Sequence, residues 1–246
     1  MIERLEQLTG LAVYPRSVTE SSDATYFLAR DVGRKLLGIL GNGAGFEGEQ
    51  PGEVLLCPLT PANAAALRDK LPWLCPQPLG LQKSAGCGDR LGLATPGHIR
   101  ALRKVGGIAP ILAQQSVREN ARTGRTPQQV LDDATWGLFQ EGWREPWGAD
   151  ADHLKTPDDV DAFVTAGYTL YTIDPSDHVH NITPTTPFVE VEAKVQALPW
   201  EALEDTLQDM ERRYLDRSFD LEGCHVTILD RAALWRAAAK YGRAIA

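Results

Sequence analysis

The sequence predicts an α/β protein, with a small N-terminal α/β domain over residues 1–83 followed by part of a (β/α) barrel over residues 84–246. Short apolar segments in the first part and a repeat of about 30 residues in the second part support this prediction. The composition, 43% hydrophobic and 24% charged over 246 residues, is typical of a folded domain. It excludes a disordered chain, a collagen and a coiled coil.

The N-terminal part has short apolar runs bounded by glycine, proline and asparagine, at residues 26–29, 36–40 and 54–57. This pattern predicts strands joined by tight turns. Thr60 followed by Pro61 predicts a helix, with Thr60 as its N-cap. The glycine-rich residues 41–45 lack the Lys-Ser/Thr of a phosphate loop. We therefore expect a turn there and no chemistry in this domain.

The second part repeats a Thr-Pro pair that starts at Thr95, Thr126 and Thr156, at separations of 31 and 30 residues. In each pair the threonine can cap a helix and the proline suits its first turn. Each predicted helix ends near glycine and is followed by a short apolar run. Helices that alternate with buried strands imply a parallel sheet. A doubly wound sheet and part of a (β/α)₈ barrel both fit, and we predict the partial barrel.

The last 45 residues predict two more helices. The first presents an apolar face formed by Leu203, Leu207, Met210 and Tyr214. The second is capped by Asp230, and its apolar face is formed by Leu234, Ala238, Tyr241 and Ile245. The second pattern is still apolar at Ala246, which predicts a truncated helix. The alternative is a true C-terminal helix whose last turn is loosened by Gly242.

Charge and cysteine usage exclude several classes of function. Lys plus Arg number 25 and Asp plus Glu number 33, a net charge of −8, which argues against a nucleic-acid binder. No apolar run approaches the ~20 residues of a membrane helix, and the N-terminus has no signal pattern, so we expect a cytoplasmic protein. Four cysteines without C-x-x-C spacing predict reduced structural thiols.

Polar residues follow three successive predicted strands, at residues 114–125, 150–155 and 174–181. Catalytic groups of parallel α/β folds lie at such strand ends. Two of these segments contain Asp-His, at Asp152-His153 and Asp177-His178. Imidazole is a common metal ligand, and a nearby carboxylate can act as a base or orient it. Neighbours in an extended strand point to opposite sides, so each pair needs a turn to share a site. Alternatively, one of the pairs is structural.

Side chains near the same strand ends suit an anionic sugar substrate. Arg118 and Lys155 can hold a carboxylate, and Gln114 and Gln115 can bind sugar hydroxyls. We expect other nearby side chains to be structural, in salt bridges or in the core: Arg122, Arg125, Trp136, Trp143 and Trp147.

Five stretches of the sequence form a nearly continuous block over about residues 86–181. They are residues 88–102, 113–126, 130–137, 148–155 and 172–179. These stretches resemble the tagaturonate/fructuronate epimerases of bacterial hexuronate catabolism, and similarity outside the block is looser.

The resemblance implies a divalent-metal-dependent isomerase that acts on six-carbon keto-uronates. It implies that Asp152 is the proton acceptor and His153 a metal ligand. Asp177 and His178 also match the family, and we predict that they bind substrate together with Gln114, Gln115, Arg118 and Lys155. Two routes remain open: retro-aldol cleavage with re-addition, or proton abstraction with a donor on the opposite face.

One departure from the family is length, because its members are roughly twice as long as this sequence. Their proton donor and further metal-binding histidines lie beyond the position of Ala246. The chain would then hold one of about three protein ligands that a catalytic metal takes. We therefore expect no turnover by the chain alone. An unpaired sheet edge also predicts self-association, as in a homo-oligomer.

Two alternatives remain. One is another metal-dependent aldolase or isomerase of sugar acids. The other is a non-catalytic half-barrel remnant.

Overall fold

A computed structural model describes residues 1–228 and 230–246. These residues divide into two units, Met1–Ile173 and Asp174–Ala246. The boundary predicted between residues 83 and 84 falls within the first unit, between its two sheets. That boundary stays a prediction.

The predicted N-terminal strands form an antiparallel sheet. Its strand order is β1-β3-β4-β5, and β2 pairs with β3. The predicted cap is confirmed, since the Thr60 Oγ1 accepts from the Asn63 N–H at 3.2 Å. A turn follows Gly41, whose φ is +115° and where a Cβ would lie 2.6 Å from the Asp23 carbonyl oxygen. The elements are α1 (Ile2–Thr9), β1 (Ala12–Val13), β2 (Thr19–Glu20), β3 (Ala24–Asp31), β4 (Arg34–Gly41), β5 (Val54–Pro58) and α2 (Pro61–Lys70).

The 30-residue repeat forms a four-stranded parallel sheet in the order β6-β7-β8-β9. Helices connect its successive strands, which confirms the α/β class and the partial-barrel architecture. The elements are β6 (Ser84–Gly88), α3 (Thr95–Val105), β7 (Ala109–Ser116), α4 (Val117–Thr123), α5 (Pro127–Glu141), β8 (Gly148–Leu154), α6 (Pro157–Ala166) and β9 (Leu170–Ile173).

The three Thr-Pro pairs begin their helices in two different ways. Thr126 and Thr156 cap α5 and α6, as predicted, and each takes part in a reciprocal capping box. The prediction for Thr95 is wrong, because Thr95 is already the first residue of α3 and its side chain makes no cap hydrogen bond. Instead the Asp89 carboxylate accepts from the N–H groups of Ala94 at 2.8 Å and Thr95 at 3.1 Å. The Asp89 carboxylate, at the end of β6, therefore caps α3 in place of the predicted Thr95 hydroxyl.

The core of the first unit lies between its two sheets, around α5. This helix is buried along most of its length and contacts α2, α3, β3 and β7. Trp136, Trp143 and Trp147 are buried in this core, which confirms that they pack rather than form a sugar-stacking surface.

The second unit contains helices around its own apolar cluster and one β-hairpin. Met210 is buried and Leu207 and Tyr214 pack on the cluster, as predicted, but Leu203 precedes the helix. The Asp230 carboxylate caps the last helix by accepting from the Ala232 N–H at 2.8 Å. The elements are α7 (Phe188–Gln196), α8 (Leu207–Tyr214), β10 (Arg217–Leu221), β11 (Cys224–Ile228) and α9 (Arg231–Ile245).

The buried face of α9 agrees with the predicted one at Leu234 and Ala238 and differs from it toward the end of the helix. Leu234, Trp235, Ala239 and Gly242 are buried, whereas Tyr241 and Ile245 are 47% and 75% exposed. A Cβ on Gly242 would lie 2.7 Å from the Leu198 Cδ1. Small residues therefore let this face approach its neighbours more closely than the predicted face can.

The described residues also bear on two sequence expectations. All four cysteines are free, as predicted. Within residues 1–228 and 230–246, every helix is too short or too polar to cross a membrane.

Candidate active site

Three strands of the parallel sheet are irregular toward their carboxyl ends. The strand pairing shifts between Gly86 and Gly88, between Leu112 and Gln115, and between Ala151 and Leu154. Ala113 and His153 adopt left-handed φ values of 56° and 55°. Such a conformation costs a non-glycine residue about 1–2 kcal/mol. Bulges change the direction of side chains, and backbone strain is concentrated at functional sites. These strand ends are therefore the candidate site of chemistry.

The side chains of Asp152 and His153 are in close contact at the end of β8. The left-handed turn at His153 lets the neighbouring side chains meet, as the sequence argument required. The Asp152 Oδ1 lies 2.6 Å from the His153 Nδ1. A carboxylate in this position fixes the imidazole ring and leaves its Nε2 for another bond. The His153 side chain is 54% exposed, so solvent and ligands can reach it.

These two residues line a cavity of about 690 Å³ at the ends of β6, β7 and β8. The volume is in the range of small-molecule sites. The structure thereby brings together four of the predicted residues, Gln114, Arg118, Asp152 and His153. The full lining is Gly88, Asp89, Arg90, Leu91, Leu93, Ala94, Gln114, Ser116, Arg118, Glu119, Asp152 and His153.

The other predicted residues are not in this lining. Gln115 is fully buried, where its amide donates to the Thr123 Oγ1 at 3.0 Å and accepts from Arg125 at 2.7 Å. Lys155 is exposed beyond β8. Asp177 and His178 are exposed in a 3₁₀ turn of the second unit. The substrate roles of these four residues stay predictions. The structural interpretation of Arg125 holds, since it also pairs with Asp133.

Sequence reasoning missed Arg90 and Glu119, which line the cavity. The Arg90 Nε lies 2.5 Å from the Glu119 Oε1, across the mouth formed by the ends of β6 and β7. The strand before Arg90 has the sequence Ser-Ala-Gly-Cys-Gly, which contains no apolar run that would predict a strand. Arg90 and Glu119 could have been found from the stretches that resemble the epimerase family, which begin at residue 88 and include both residues.

Asp89 anchors the loop that carries Arg90. Its carboxylate accepts from the N–H groups of Leu91, Leu93, Ala94 and Thr95, at 2.8–3.3 Å. Burial acts to raise the pKa of Asp89, but these four backbone donors outweigh it and lower the pKa. Asp89 is therefore an ionised structural anchor at the edge of the cavity.

We expect Asp89→Ala to lower the free energy of unfolding by about 1–3 kcal/mol, because it leaves buried N–H groups without an acceptor. The pKa of Asp89 is lowered in the folded state, so its stabilisation is present above the unfolded-state pKa of about 4 and is lost as pH falls through the folded-state value. Urea titrations at several pH values measure both effects. The exposed Asp31→Ala serves as a control, with an expected change below about 0.5 kcal/mol. An equal loss in both variants would contradict the anchor role.

A second carboxylate missed by sequence reasoning, Asp150, lies behind the cavity in β8. It is buried and accepts from the Gln114 Nε2 at 2.8 Å and from the Thr172 Oγ1 at 3.1 Å. Burial raises the pKa of Asp150 despite these two hydrogen bonds. Because Asp150 binds the Gln114 amide nitrogen, the Gln114 carbonyl oxygen is oriented independently of any substrate.

The described residues fit only part of a metal site. A catalytic divalent metal takes about three protein ligands. Over residues 1–228 and 230–246, no three His, Cys, Asp or Glu side chains are grouped to hold an ion. His153 fits a single ligand position, since Asp152 holds its Nδ1. The residues present therefore do not form a complete metal site.

The fold and the cavity define an α/β protein of the barrel type, with its candidate active site at the carboxyl ends of parallel strands. A model of the tagaturonate epimerase family, UxaE, matches residues 14–246. The chain belongs to this family, which confirms the resemblance found in the sequence.

Individual relatives agree. The tagaturonate/fructuronate epimerase of Thermotoga maritima is 42% identical over an alignment of 244 positions, which covers 96% of this chain and 49% of that protein. Crystal structures of the fructuronate-tagaturonate epimerase from Cohnella laeviribosi, native and with one glycerol, match at a TM-score of 0.87 and 38% identity. They cover 99% of this chain and 49% of that one. The chain thus spans about half the length of these relatives.

Proposed function

We propose that this chain supplies part of the active site of a divalent-metal-dependent epimerase that interconverts D-tagaturonate and D-fructuronate. The observation that carries the proposal is the cavity in which Gln114, Arg118, Asp152 and His153 meet, in a chain of this family. A partial site agrees with the single ligand position found among the described residues. We infer that the remaining ligands and the proton donor come from a second polypeptide segment, and that the chain alone does not turn over.

Asp152 is the proposed proton acceptor. Its Oδ1 is engaged by the His153 Nδ1 at 2.6 Å, which leaves Oδ2 for a substrate hydroxyl. His153 is the proposed metal ligand through Nε2, and the bound metal would polarise the substrate carbonyl. The imidazole also keeps the carboxylate oriented while the proton is held on Oδ2.

Binding of the uronate is assigned to Arg118 and Gln114, which line the same cavity. Arg118 makes no ion pair with the residues that the structure describes, so its guanidinium is available for a bidentate contact with a carboxylate. The Gln114 Nε2 donates to Asp150, and this contact orients the Gln114 carbonyl oxygen, which can accept from a sugar hydroxyl. Gln115, Lys155, Asp177 and His178 remain proposed contributors to substrate binding.

Two routes invert the carbinol carbon. In a retro-aldol route, Asp152 takes the hydroxyl proton as the adjacent carbon–carbon bond breaks, and re-addition to the other face of the aldehyde inverts the centre. In a proton-transfer route, the carbon loses its hydrogen as a proton and regains one from the opposite face. Turnover in D₂O separates them, because deuterium at the inverted carbon excludes the retro-aldol route.

A two-part assay tests the proposed function. The chain is mixed with a polypeptide that carries the half of the Thermotoga maritima epimerase that it does not match, with and without divalent metal. We expect epimerisation only when both parts and metal are present. No turnover by a mixture that forms a folded complex favours the non-catalytic remnant. Turnover that prefers another sugar acid favours the related aldolase or isomerase.

Sequencing the coding DNA beyond the Ala246 codon is the simplest companion experiment. A frame that continues with a carboxylate and further histidines at strand ends supports one continuous epimerase. A stop codon moves the proposal to a partner-complemented half.

We expect Arg118→Gln to raise the KM for the uronate about 10- to 100-fold in the two-part assay, with a smaller effect on kcat. A charge-assisted hydrogen bond contributes about 1.5–3 kcal/mol, and each 1.4 kcal/mol is a factor of about ten. The matched control is Arg122→Gln, an exposed residue on the same helix outside the cavity lining. Equal KM values for the two variants would remove Arg118 from substrate binding.

A further inference from the structure

A second cavity of about 480 Å³ lies within the first unit and shares no lining residue with the candidate active site. It is formed where the segment before β2 meets the ends of α3 and α5. Most of its polar lining is cationic, in a chain whose net charge is −8. The lining is Tyr14, Pro15, Arg16, Arg100, Arg103, Lys104, Gln140 and Glu141.

Glu141 is the buried centre of this cavity, with 3% of its surface exposed. Arg100 donates to its Oε1 through Nε at 3.0 Å and Nη2 at 2.7 Å. Arg16 reaches Oε2 at 3.3 Å, and Arg103 donates to the Glu141 backbone oxygen at 2.6 Å. Burial opposes ionisation of Glu141, but the Arg100 hydrogen bonds outweigh it and lower the pKa. One ionised carboxylate thus fixes three guanidinium groups.

The cavity holds more positive charge than Glu141 can balance. Arg16, Arg100, Arg103 and Lys104 face one carboxylate, which leaves a local excess of three positive charges. Lys35 adds to this excess from the rim, where its Nζ donates to the Gln140 Oε1 at 2.6 Å. A guanidinium has five N–H donors, and Glu141 uses only one or two from each arginine. Within residues 1–228 and 230–246, Glu141 is the only carboxylate that forms ion pairs with Arg16, Arg100 and Arg103.

We propose that this cavity binds a phosphate dianion, either inorganic phosphate or the phosphate group of a small sugar ester. A phosphate carries about −1.5 to −2 charges at neutral pH and three strong acceptor oxygens, which matches several fixed guanidinium donors and a local excess of +3. A monocarboxylate would leave most of this charge unbalanced. The volume accommodates a phosphate with a small organic group.

The arginines of this cavity are held in place by Glu141, which favours specific binding of an anion over non-specific attraction to a positive surface. The side chains of Arg16 and Arg100 are 57% and 60% exposed, so a ligand can reach them, while Glu141 holds one end of each. Pre-organised donors lose less rotamer entropy when a ligand binds. The Arg103 guanidinium also lies 5.8 Å from the centre of the Trp143 ring, which limits its motion further.

Isothermal titration of the 246-residue chain tests the site, at constant ionic strength, with inorganic phosphate, glucose 6-phosphate and glucuronate as probes. We expect saturable one-to-one binding of phosphate, and at least about tenfold weaker binding of the monocarboxylate glucuronate to this cavity. Glucuronate that binds at the proposed active site instead is recognised because the Arg16 and Lys104 substitutions do not weaken it. Glucose 6-phosphate at equal or higher affinity identifies an ester site, and phosphate alone identifies a free-phosphate site.

The test variant is Arg16→Gln with Lys104→Gln, which removes two cations from the cavity and leaves the Arg100–Glu141 pair intact. We expect at least about tenfold weaker phosphate binding, together with unchanged circular dichroism. The control is Arg4→Gln with Arg34→Gln, an equal charge change at exposed positions outside this cavity. The proposal is overturned by any of three results: no saturable phosphate binding to the parent chain, equal losses of phosphate binding in the two double variants, or glucuronate binding that is as tight as phosphate binding and is weakened by Arg16→Gln with Lys104→Gln.

Discussion

Asp152→Asn should lower kcat in the two-part assay by about 10²–10⁴-fold, the range that a positioned general base contributes. Asparagine keeps the shape of the side chain and can still accept from His153, but it cannot take a proton from a substrate hydroxyl. The Asp152 Oδ1 contact with the His153 Nδ1 at 2.6 Å makes this replacement specific to proton transfer, since the imidazole retains a partner. Initial rates of epimerisation measure the effect.

A purely orienting role for Asp152 gives a different result. Loss of a partner that orients a metal-binding histidine typically costs 10- to 100-fold in metal affinity or activity. If Asp152 only orients His153, excess divalent metal restores the rate of Asp152→Asn. If Asp152 accepts the proton, kcat stays low at saturating metal and substrate. His153→Gln should show the opposite pattern, with weaker metal binding as its main defect.

The matched control is Asp158→Asn, an exposed carboxylate in the first turn of α6, a few residues after the same strand. It makes the same change of charge outside the cavity lining, so we expect a rate close to that of the parent. Asp177→Asn separates the two Asp-His pairs. A larger loss of kcat there than at Asp152 would transfer the acceptor role to Asp177.

The β/α repeat and the Asp-His pair were predictable because both depend on local chemistry. Thr126 and Thr156 determine helix starts within a few residues, and both cap their helices as predicted. The turn that Asp152 and His153 needed was also deducible, since neighbours in a strand point to opposite sides. Its form, a left-handed φ of 55° at His153, required the structure.

Features that depend on tertiary partners were missed. β6 has no apolar pattern, so its carboxyl end, with Asp89 and Arg90, was not recognised as part of a site. The sequence also does not show which of two neighbouring polar residues on a strand faces the cavity. Gln114 lines the cavity, whereas Gln115 is buried beside Arg125. Apolar spacing placed Leu234 and Ala238 of α9 correctly but not Tyr241 and Ile245, because close packing at Gly242 decides which side of the last turns is buried.

Arg68→Leu should lower the free energy of unfolding by about 3–5 kcal/mol, a large share of the 5–15 kcal/mol typical of a domain. Arg68 on α2 donates to the Asp132 Oδ1 on α5 at 2.8 Å and to the Thr135 Oγ1 at 2.9 Å. Both side chains of the ion pair are nearly buried, 12% and 5% exposed. The variant therefore leaves a carboxylate in the core without its cation. Urea unfolding followed by tryptophan fluorescence measures the loss.

The dependence on pH distinguishes this mechanism from lost packing. Burial raises the pKa of Asp132, and the Arg68 guanidinium opposes that rise, so Arg68→Leu should raise the pKa further. A group with a raised folded-state pKa contributes stability below its unfolded-state pKa and loses it as pH rises through the folded-state value. The destabilisation should therefore be smaller near about pH 4 than near about pH 8. A loss that does not change with pH would indicate packing instead.

Two comparisons isolate the buried charge. Arg4→Leu removes an exposed arginine whose contact with Glu53 is 4.0 Å long, and should cost less than about 1 kcal/mol. Arg68→Leu combined with Asp132→Leu removes both charges and should recover most of the stability, since apolar replacement of a buried ion pair is often neutral. A double variant as unstable as Arg68→Leu would show that the hydrogen bond to Thr135, and not the unpaired Asp132 charge, accounts for the loss.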